Sequence, residues 1–342
     1  MACASRFLVS ISCMTYNHSG FIIDALNGFV MQQTRFPFVA VIVDDASTDG
    51  EQEVIRSYVN DYFDHSLDSD FKEWKTDDAY WTFARHKENV NCHFVVAYLK
   101  KNLYKQQEKK EMVIRDWMNS KYIALCEGDD YWIDPLKLQK QVDFMEVHED
   151  FSACYTNSKI LYEDTNELED AIIQIWDEET AENIITNHTD FSLNKVPCSP
   201  GHTSTILYRY VKEMMNDRPE WMNQVMTGDV LLFYSLSKYG KSKFINDYTS
   251  IYRIHSQGIS SKSYSKNKVY EERIFIYSHF KAYFLHKYDR KINLVIAHYY
   301  YALCKYYWKV EKNYSKAFFS LLQSFGHAPL KMYSIIQNKN LS

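Results

Sequence analysis

The sequence predicts an α/β protein in which a mixed, largely parallel sheet is flanked by helices. Residues 7–14 and 38–43 are rich in apolar and β-branched side chains, which is typical of buried strands. Residues 21–33 and 51–63 carry apolar side chains at helical spacing. Strands and helices that alternate with short links favour parallel strands with helices packed on their faces.

The later part of the chain contains further strands and helices. The remaining predicted strands cover 93–99, 122–126, 152–162, 202–208 and 248–255, and the remaining predicted helices cover 136–147, 210–215 and 230–239. We interpret residues 65–82 as a loop or insertion and 163–194 as an acidic surface excursion. From about residue 265 the pattern is helical, so we expect one domain over residues 1–262 and a helical region over 263–342.

Composition excludes several classes of protein. The 342 residues are 46% hydrophobic and 24% charged, which excludes a disordered chain. The net charge of −5 gives no indication of nucleic-acid binding. Seven cysteines without a C-x-x-C pair favour buried free thiols in a reducing compartment. With no apolar run near ~20 residues and no signal-peptide core, we expect a cytoplasmic protein, with contact at a membrane surface left open.

Adjacent carboxylates follow one of the predicted strands. Asp129 and Asp130 come directly after the apolar segment 122–126. Two carboxylates at a strand end repel each other, and a hard divalent cation shared with substrate phosphates relieves that repulsion. The turn at 15–17 and the pair at 44–45 also follow strands, and ligands of parallel sheets bind beyond the carboxyl ends of the strands. The pattern therefore predicts a metal that holds a phosphorylated donor, with a plain surface turn as the alternative.

Five sequence blocks in this order resemble the family 2 glycosyltransferases of GT-A fold. The blocks are SISCMTYN (10–17), VDDASTDG (43–50), YIALCEGDDYW (122–132), TGD (227–229) and YRIH (252–255). The resemblance covers roughly residues 5–260. It implies a GT-A, Rossmann-like mixed sheet that binds a nucleotide-sugar, followed by a C-terminal helical extension.

The resemblance assigns donor-binding roles to the first blocks. Thr15, Tyr16, Asn17 and Asp45 match residues that hold the nucleotide base and ribose in the family. A carboxylate can accept the imide N–H of uracil, and a tyrosine ring can stack on a base. Arg115 stands in the region where the family has an arginine, which makes it a further candidate for donor binding.

The remaining blocks imply a metal and a catalytic base. We assign Asp130 as the direct Mn²⁺ or Mg²⁺ ligand and Asp129 to the sugar or ribose hydroxyls, an assignment that can also be swapped. His255 matches a family position that ligates the metal or contacts the diphosphate, and Arg253 a partner for leaving-group charge. Asp229 matches the base that takes the proton of the acceptor hydroxyl in an inverting transfer.

The implied acceptor is a glycan or a lipid-linked saccharide of a bacterial surface polysaccharide. Two alternatives stay open. A nucleotidyltransferase shares the nucleotide-binding sheet but normally has a Gly-rich, cationic signature after the first strand, which residues 15–20 lack. A non-catalytic glycan-binding protein could keep the fold.

The aromatic and lysine-rich segments 299–308 and 317–322 indicate either core-packing helices or a surface near a lipid-linked acceptor.

Overall fold

The computed structural model describes residues 6–66, 69–104, 106, 112–171, 177–183, 200–216, 218–225, 228–256, 258, 266–330 and 332. Thr227, in the predicted TGD block, lies outside these residues. The chain divides into two compact units. The first comprises Met1–Glu178, Gly201–Met215 and Tyr239–His255, and the second Glu179–Pro200, Asn216–Lys238 and Ser256–Ser342. The expected boundary at residue 262 stays a prediction.

The first unit is built on one mixed sheet. In chain order its strands are β1 (Val9–Thr15), β2 (Phe38–Asp44), β3 (Lys72–Lys75), β4 (Ala79–Arg85), β5 (Cys92–Leu99), β6 (Tyr122–Leu125), β7 (Tyr131–Trp132), β8 (Phe151–Tyr162), β9 (Glu167–Asp170), β10 (Glu178–Glu179, at the unit boundary), β11 (Leu207–Arg209) and β12 (Lys241–Ile254). Neighbouring strands follow the order β12-β8-β11-β6-β1-β2-β5-β4-β3, with β7 paired to β12 and β9 to β8.

Strand direction sets which residues meet at the edge of this sheet. β1 runs parallel to β2 and to β6. β11 is antiparallel to both β6 and β8, and β12 is parallel to β8. It follows that β12 has the same direction as β1 and β6, so the residues after all three strands emerge at one edge. The predicted fold class, a mixed α/β sheet flanked by helices, is confirmed.

The burial of β2 shows that the sheet is covered on both faces. All seven residues of β2 are buried. Phe38, Ala40 and Ile42 belong to one hydrophobic cluster, and the alternate residues Val39 and Val41 belong to another. Because successive side chains point to opposite faces, a strand buried on both faces reads as a continuous apolar run. Helices that the structure describes in this unit include α1 (Ile22–Val30), α2 (Glu51–Tyr62) and α3 (Lys137–Val147).

Two sequence interpretations differ from the structure. The predicted loop at 65–82 contains β3 and the first half of β4, which form an antiparallel pair at the sheet edge. β3 was missed because its residues are polar and largely exposed, as an edge strand allows. The predicted strand at 202–208 begins instead as a short 3-10 helix, Thr203–Thr205, before β11.

The described cysteines agree with the expectation of free thiols. Cys13, Cys92, Cys126 and Cys154 are buried and free, and Cys304 is free and half-buried. Burial raises the pKa of the Cys13 thiol well above its usual range, so it stays protonated near neutral pH. Cys3 and Cys198 lie outside the described residues.

The second unit is mainly helical in the residues that the structure describes. After α4 (Lys212–Asn216), which contains a unit boundary, its helices are α5 (Gly228–Leu236), α6 (Lys266–Tyr283), α7 (Asp289–Lys309) and α8 (Tyr314–His327). Tyr234 of α5 and Tyr277 of α6 share a buried hydroxyl–hydroxyl hydrogen bond of 2.6 Å inside an aromatic core. Within the described part of the chain, no helix combines the length and the apolarity that crossing a membrane requires.

The loop after β6 crosses tightly over the end of β1. The Cys126 N–H donates to the Ser12 carbonyl at 3.1 Å, and the Gly128 N–H donates to the Met14 carbonyl at 3.0 Å. A Cβ atom on Gly128 would lie 2.5 Å from the Thr15 Cβ and closer still to its Oγ1. Only a residue without a side chain therefore permits this approach.

We expect Gly128→Ala to lower the free energy of unfolding by about 1–3 kcal/mol, because the loop or the end of β1 must move. Gly20→Ala is the matched control, since a Cβ atom there meets nothing within 4 Å. Denaturant unfolding of both variants measures the difference. Equal stabilities for the two variants would show that the loop relaxes freely.

His93 in β5 makes stability depend on pH. Its ring lies 4.9 Å from Phe7 and 5.8 Å from Phe83, and burial, with Arg6 nearby, lowers its pKa to about 4. The unfolded chain takes up this proton near pH ~6.5, so between these values the unfolded state binds more protons and stability falls as pH falls.

When pH is lowered from about 7 to about 5, the free energy of unfolding should decrease in the wild type as His93 is protonated on unfolding. We expect this decrease to be about 1–2 kcal/mol smaller in His93→Phe. Denaturant unfolding at both pH values gives this difference, and any constant effect of the substitution on packing cancels. Parallel pH profiles for the two proteins would mean that His93 is protonated equally in both states.

Candidate functional site

Three segments meet where the parallel strands end. His18 follows β1, Asp129 follows β6 and His255 follows β12, and one ligand atom from each lies within 4.8 Å of the others. The Asp129 Oδ2 atom is 3.2 Å from His255 Nε2 and 3.7 Å from His18 Nε2. Two imidazoles and a carboxylate at this spacing form a donor set that can hold a divalent metal ion.

A buried carboxylate orients His18. Glu51, the first residue of α2, accepts hydrogen bonds from the His18 backbone N–H at 2.9 Å, from the Ser47 hydroxyl at 2.8 Å, and from the Thr15 hydroxyl. The Thr15 Oγ1 atom also lies 3.1 Å from His18 Nδ1. Because the single Thr15 hydroxyl proton points to Glu51, its oxygen accepts the Nδ1–H of His18. The Nε2 lone pair of His18 is then turned towards Asp129.

Burial reinforces this arrangement. It lowers the pKa of His18, which keeps the imidazole neutral and able to bind a metal. Burial also raises the pKa of Glu51, and the hydrogen bonds from His18, Thr15 and Ser47 oppose that rise. The Asp129 carboxylate and the Nε2 atom of His18 both present lone pairs to the space between them. That space therefore suits a cation.

Asp130 has a different environment from Asp129. Its side chain is 2% exposed, and Oδ1 accepts the Arg253 backbone N–H at 3.0 Å. Burial raises the pKa of Asp130 well above its usual range, and the charges of Asp129 and Glu127 raise it further. This carboxyl links the loop after β6 to β12. Of the two adjacent carboxylates, Asp129 is the one that lies in the cluster with His18 and His255.

The turn after β1 is bound to the loop after β2. The Asn17 N–H donates to the Ser47 hydroxyl at 2.9 Å, and the Asn17 side-chain oxygen accepts the Thr48 N–H at 2.8 Å. Asn17 has a φ of 57°, a left-handed conformation that asparagine tolerates. Tyr16 is 44% exposed beside this turn, so its ring is available for stacking.

Asp45 and Arg253 are both engaged within the protein. Asp45 is 4% exposed and accepts the Leu103 N–H at 2.6 Å. The Arg253 guanidinium lies 2.6 Å from an Asp24 carboxylate oxygen and 3.2 Å from one of Glu163. The Arg253 side chain is 4% exposed, so it ties β12 to the neighbouring segments.

The two other candidates are Arg115 in the first unit and Asp229 in the second unit. Arg115 is exposed and begins the short 3-10 helix Arg115–Trp117. Asp229 lies in the first turn of α5, in the second unit, and is half-buried. An acidic residue in the first turn interacts favourably with the helix dipole, which is a structural alternative to a catalytic role.

Sequence reasoning missed His18 and Glu51. His18 directly follows the Thr15-Tyr16-Asn17 turn, so its position after a parallel strand was a usable signal. Glu51 carried no such signal, because an acidic residue at the start of a helix is usually explained by the helix dipole.

The comparisons with known proteins begin with sequence. No protein-family model matches the chain. An uncharacterised protein of Mycobacterium tuberculosis is 27% identical over 266 residues, which cover 78% of this chain and 64% of that protein. The chain therefore spans less than two thirds of that relative's length. TuaG of Bacillus subtilis, named as a teichuronic acid biosynthesis glycosyltransferase, is 25% identical over 138 residues, 40% of this chain and 42% of TuaG.

Comparison of structures covers nearly the whole chain. Residues 1–349 of S. aureus TarS, solved in complex with UDP-GlcNAc, superpose with a TM-score of 0.57 at 17% identity. The match covers 95% of this chain and 82% of the TarS chain. Strand order, helix placement and this similarity together show that the chain has a GT-A-like fold.

Proposed function

We propose that this protein is a metal-dependent, inverting glycosyltransferase of family 2 type that uses a nucleotide-sugar donor, with UDP as the nucleotide. The observation that carries this proposal is the His18–Asp129–His255 cluster at the carboxyl edge of a sheet whose fold is shared with TarS. TarS was solved with UDP-GlcNAc, which supports a UDP-sugar, and a hexosyl transfer, for this chain as well.

The donor set fits Mn²⁺ better than Mg²⁺. Mg²⁺ prefers oxygen ligands in octahedral geometry, whereas imidazole nitrogen suits transition metals. His18, Asp129 and His255 would hold the ion, and the bound ion would supply positive charge to the diphosphate of the leaving nucleotide. We assign Asp130 to fixing the Asp129 loop against β12, through its hydrogen bond to Arg253.

The nucleotide site uses the first strand turn and its neighbours. The exposed Tyr16 ring would stack on the base, and Asn17 would hold the turn in the conformation that presents it. Asp45 would accept the imide N–H of uracil, and Thr15 would act through its hydrogen bond to His18. Arg115 is proposed as a further cation for donor binding.

The transfer itself is a single displacement. The acceptor oxygen forms a bond to the anomeric carbon as the bond to the diphosphate oxygen breaks, and the nucleotide leaves with that electron pair. Asp229 is proposed to take the proton of the acceptor hydroxyl. Arg253 would stabilise leaving-group charge only by exchanging one of its carboxylate partners, Asp24 or Glu163.

The acceptor is proposed to be a hydroxyl of a glycan or lipid-linked saccharide in bacterial surface polysaccharide synthesis. The partial similarity to TuaG supports this class of acceptor. The nucleotidyltransferase alternative has no supporting observation in the site. A non-catalytic nucleotide-binding protein would keep the metal cluster without using Asp229, so the experiments below separate binding from transfer.

Thermal unfolding with UDP, GDP or CDP, each with Mn²⁺ or with EDTA, tests the donor site. We expect a rise in the unfolding midpoint with UDP and Mn²⁺ that EDTA removes, because a ligand of the native state stabilises it by about 2.7 kcal/mol at a hundredfold excess over Kd. A rise with another nucleotide would change the donor. No metal-dependent rise with any nucleotide would contradict the proposal.

Three variants test which residues bind the metal. Asp129→Asn and His18→Ala are expected to lose the Mn²⁺-dependent rise, since each removes a ligand of the cluster. Asp130→Asn is the matched control: it keeps an oxygen for the Arg253 N–H and is expected to retain the rise. The opposite result, with loss in Asp130→Asn alone, would restore the assignment first made from the sequence.

Asp229→Asn tests catalysis separately from binding. We expect sugar transfer, or slow hydrolysis of the UDP-sugar, to fall by about 10²–10⁴-fold in kcat, since a general base contributes that much. The Mn²⁺-dependent stabilisation by UDP should be unchanged. Full activity in this variant would exclude Asp229 as the base, and an inactive wild type that binds UDP normally would favour the non-catalytic alternative.

A further inference from the structure

Helix α8 presents four of its six large apolar residues to solvent. The face turned to the protein is made of small residues, Ala317, Ser320 and Ser324, all buried. The Ser324 hydroxyl donates to the Ala297 carbonyl of α7 at 2.6 Å, which fixes this small-residue face against α7. Amphipathic helices of globular proteins normally bury the large apolar side chains instead.

The opposite side of α8 carries the apolar residues. Tyr314, Phe318 and Leu322 recur every four residues, so they form one stripe along the helix. They are 55%, 62% and 52% exposed, and Phe319 beside them is 60% exposed. Large apolar side chains exposed together, not singly, indicate a contact with something outside the unit.

The end of α7 extends this surface. The Trp308 ring is 57% exposed and meets the Tyr314 ring edge-on at 4.8 Å between centroids. We define the outer aromatic face as the exposed residues Trp308, Tyr314, Phe318, Phe319 and Leu322. Trp, Tyr and Phe together with Leu are the residues that interfacial helices place at the boundary between lipid headgroups and acyl chains.

The C-terminal segment of the sequence is opposite in net charge to the rest of the chain. Residues 305–342 contain six lysines and one acidic residue, a net charge of +5, whereas the whole chain carries −5. The first 304 residues therefore carry −10. Lys309, Lys312 and Lys316 are exposed at the end of α7 and the start of α8.

We propose that the outer aromatic face docks on the surface of an anionic lipid bilayer, with α8 lying in the plane of the interface. The aromatic residues would enter the headgroup region, and the neighbouring lysines would meet the lipid phosphates. A second copy of the chain fits less well, because a two-fold contact through this face would bring the two positive segments together. This proposal stands independently of the proposed transfer activity.

Vesicle flotation of the full chain tests the proposal. We expect binding to vesicles of phosphatidylglycerol and phosphatidylcholine, and much weaker binding to phosphatidylcholine alone. Binding should fall as salt is raised from about 0.1 M to about 0.5 M, because the lysine contribution is screened. Phe318→Ser combined with Phe319→Ser should bind the anionic vesicles roughly tenfold more weakly.

Val147→Ser is the matched control, since Val147 is 77% exposed on α3 of the first unit and should have no effect. Circular dichroism checks that each variant is folded. Failure of the wild type to bind anionic vesicles, or equal binding by the double variant, would overturn the proposal. A wild-type dimer that becomes monomeric in the double variant, without vesicle binding, would instead assign the face to self-association.

Discussion

The parallel pairing of β1 with β2 on one side and β6 on the other is the constraint on which the site depends. The residues that follow β1, β2 and β6 therefore lie at one edge of the sheet, and those that follow β12 lie there too because β12 has the same direction. Residues distant in sequence, such as His18, Asp129 and His255, are neighbours because their strands end together. Both faces of the sheet are covered at β2, whose seven residues are all buried, and the clustered imidazole and carboxylate groups lie at the edge.

Buried carboxylates hold the loops at that edge in place. Glu51 joins the turn after β1 to α2, and Asp130 joins the loop after β6 to β12. Each accepts backbone N–H groups that would otherwise be buried without partners, which is costly in a protein interior. The more accessible Asp129 is thereby left with two imidazoles as its neighbours. Adjacent aspartates therefore have different environments, one buried in a structural hydrogen bond and one beside two imidazoles.

The sequence correctly predicted the elements whose burial imposes a regular pattern of apolar residues. Continuous apolar runs predicted β2 and β6, because a strand buried on both faces has apolar side chains at successive positions. Helical spacing predicted α1 and α2, because a helix buried on one face repeats its apolar residues every three to four positions. β3 was not predicted, because an exposed edge strand does not need the apolar residues that mark a buried strand. The different environments of Asp129 and Asp130 could not be predicted either, because adjacent carboxylates differ only in which way the folded loop turns each of them.

The nitrogen-rich character of the cluster has a practical consequence for handling the protein. Affinity of nitrogen and oxygen ligands rises from Mn²⁺ through Ni²⁺ to Cu²⁺, with Zn²⁺ also above Mn²⁺. A site made of His18, Asp129 and His255 would therefore take up trace zinc, or nickel shed from an affinity column, in preference to manganese. Preparations would differ in metal content according to how they were purified, and the metal found in the isolated protein need not be the one used in the cell.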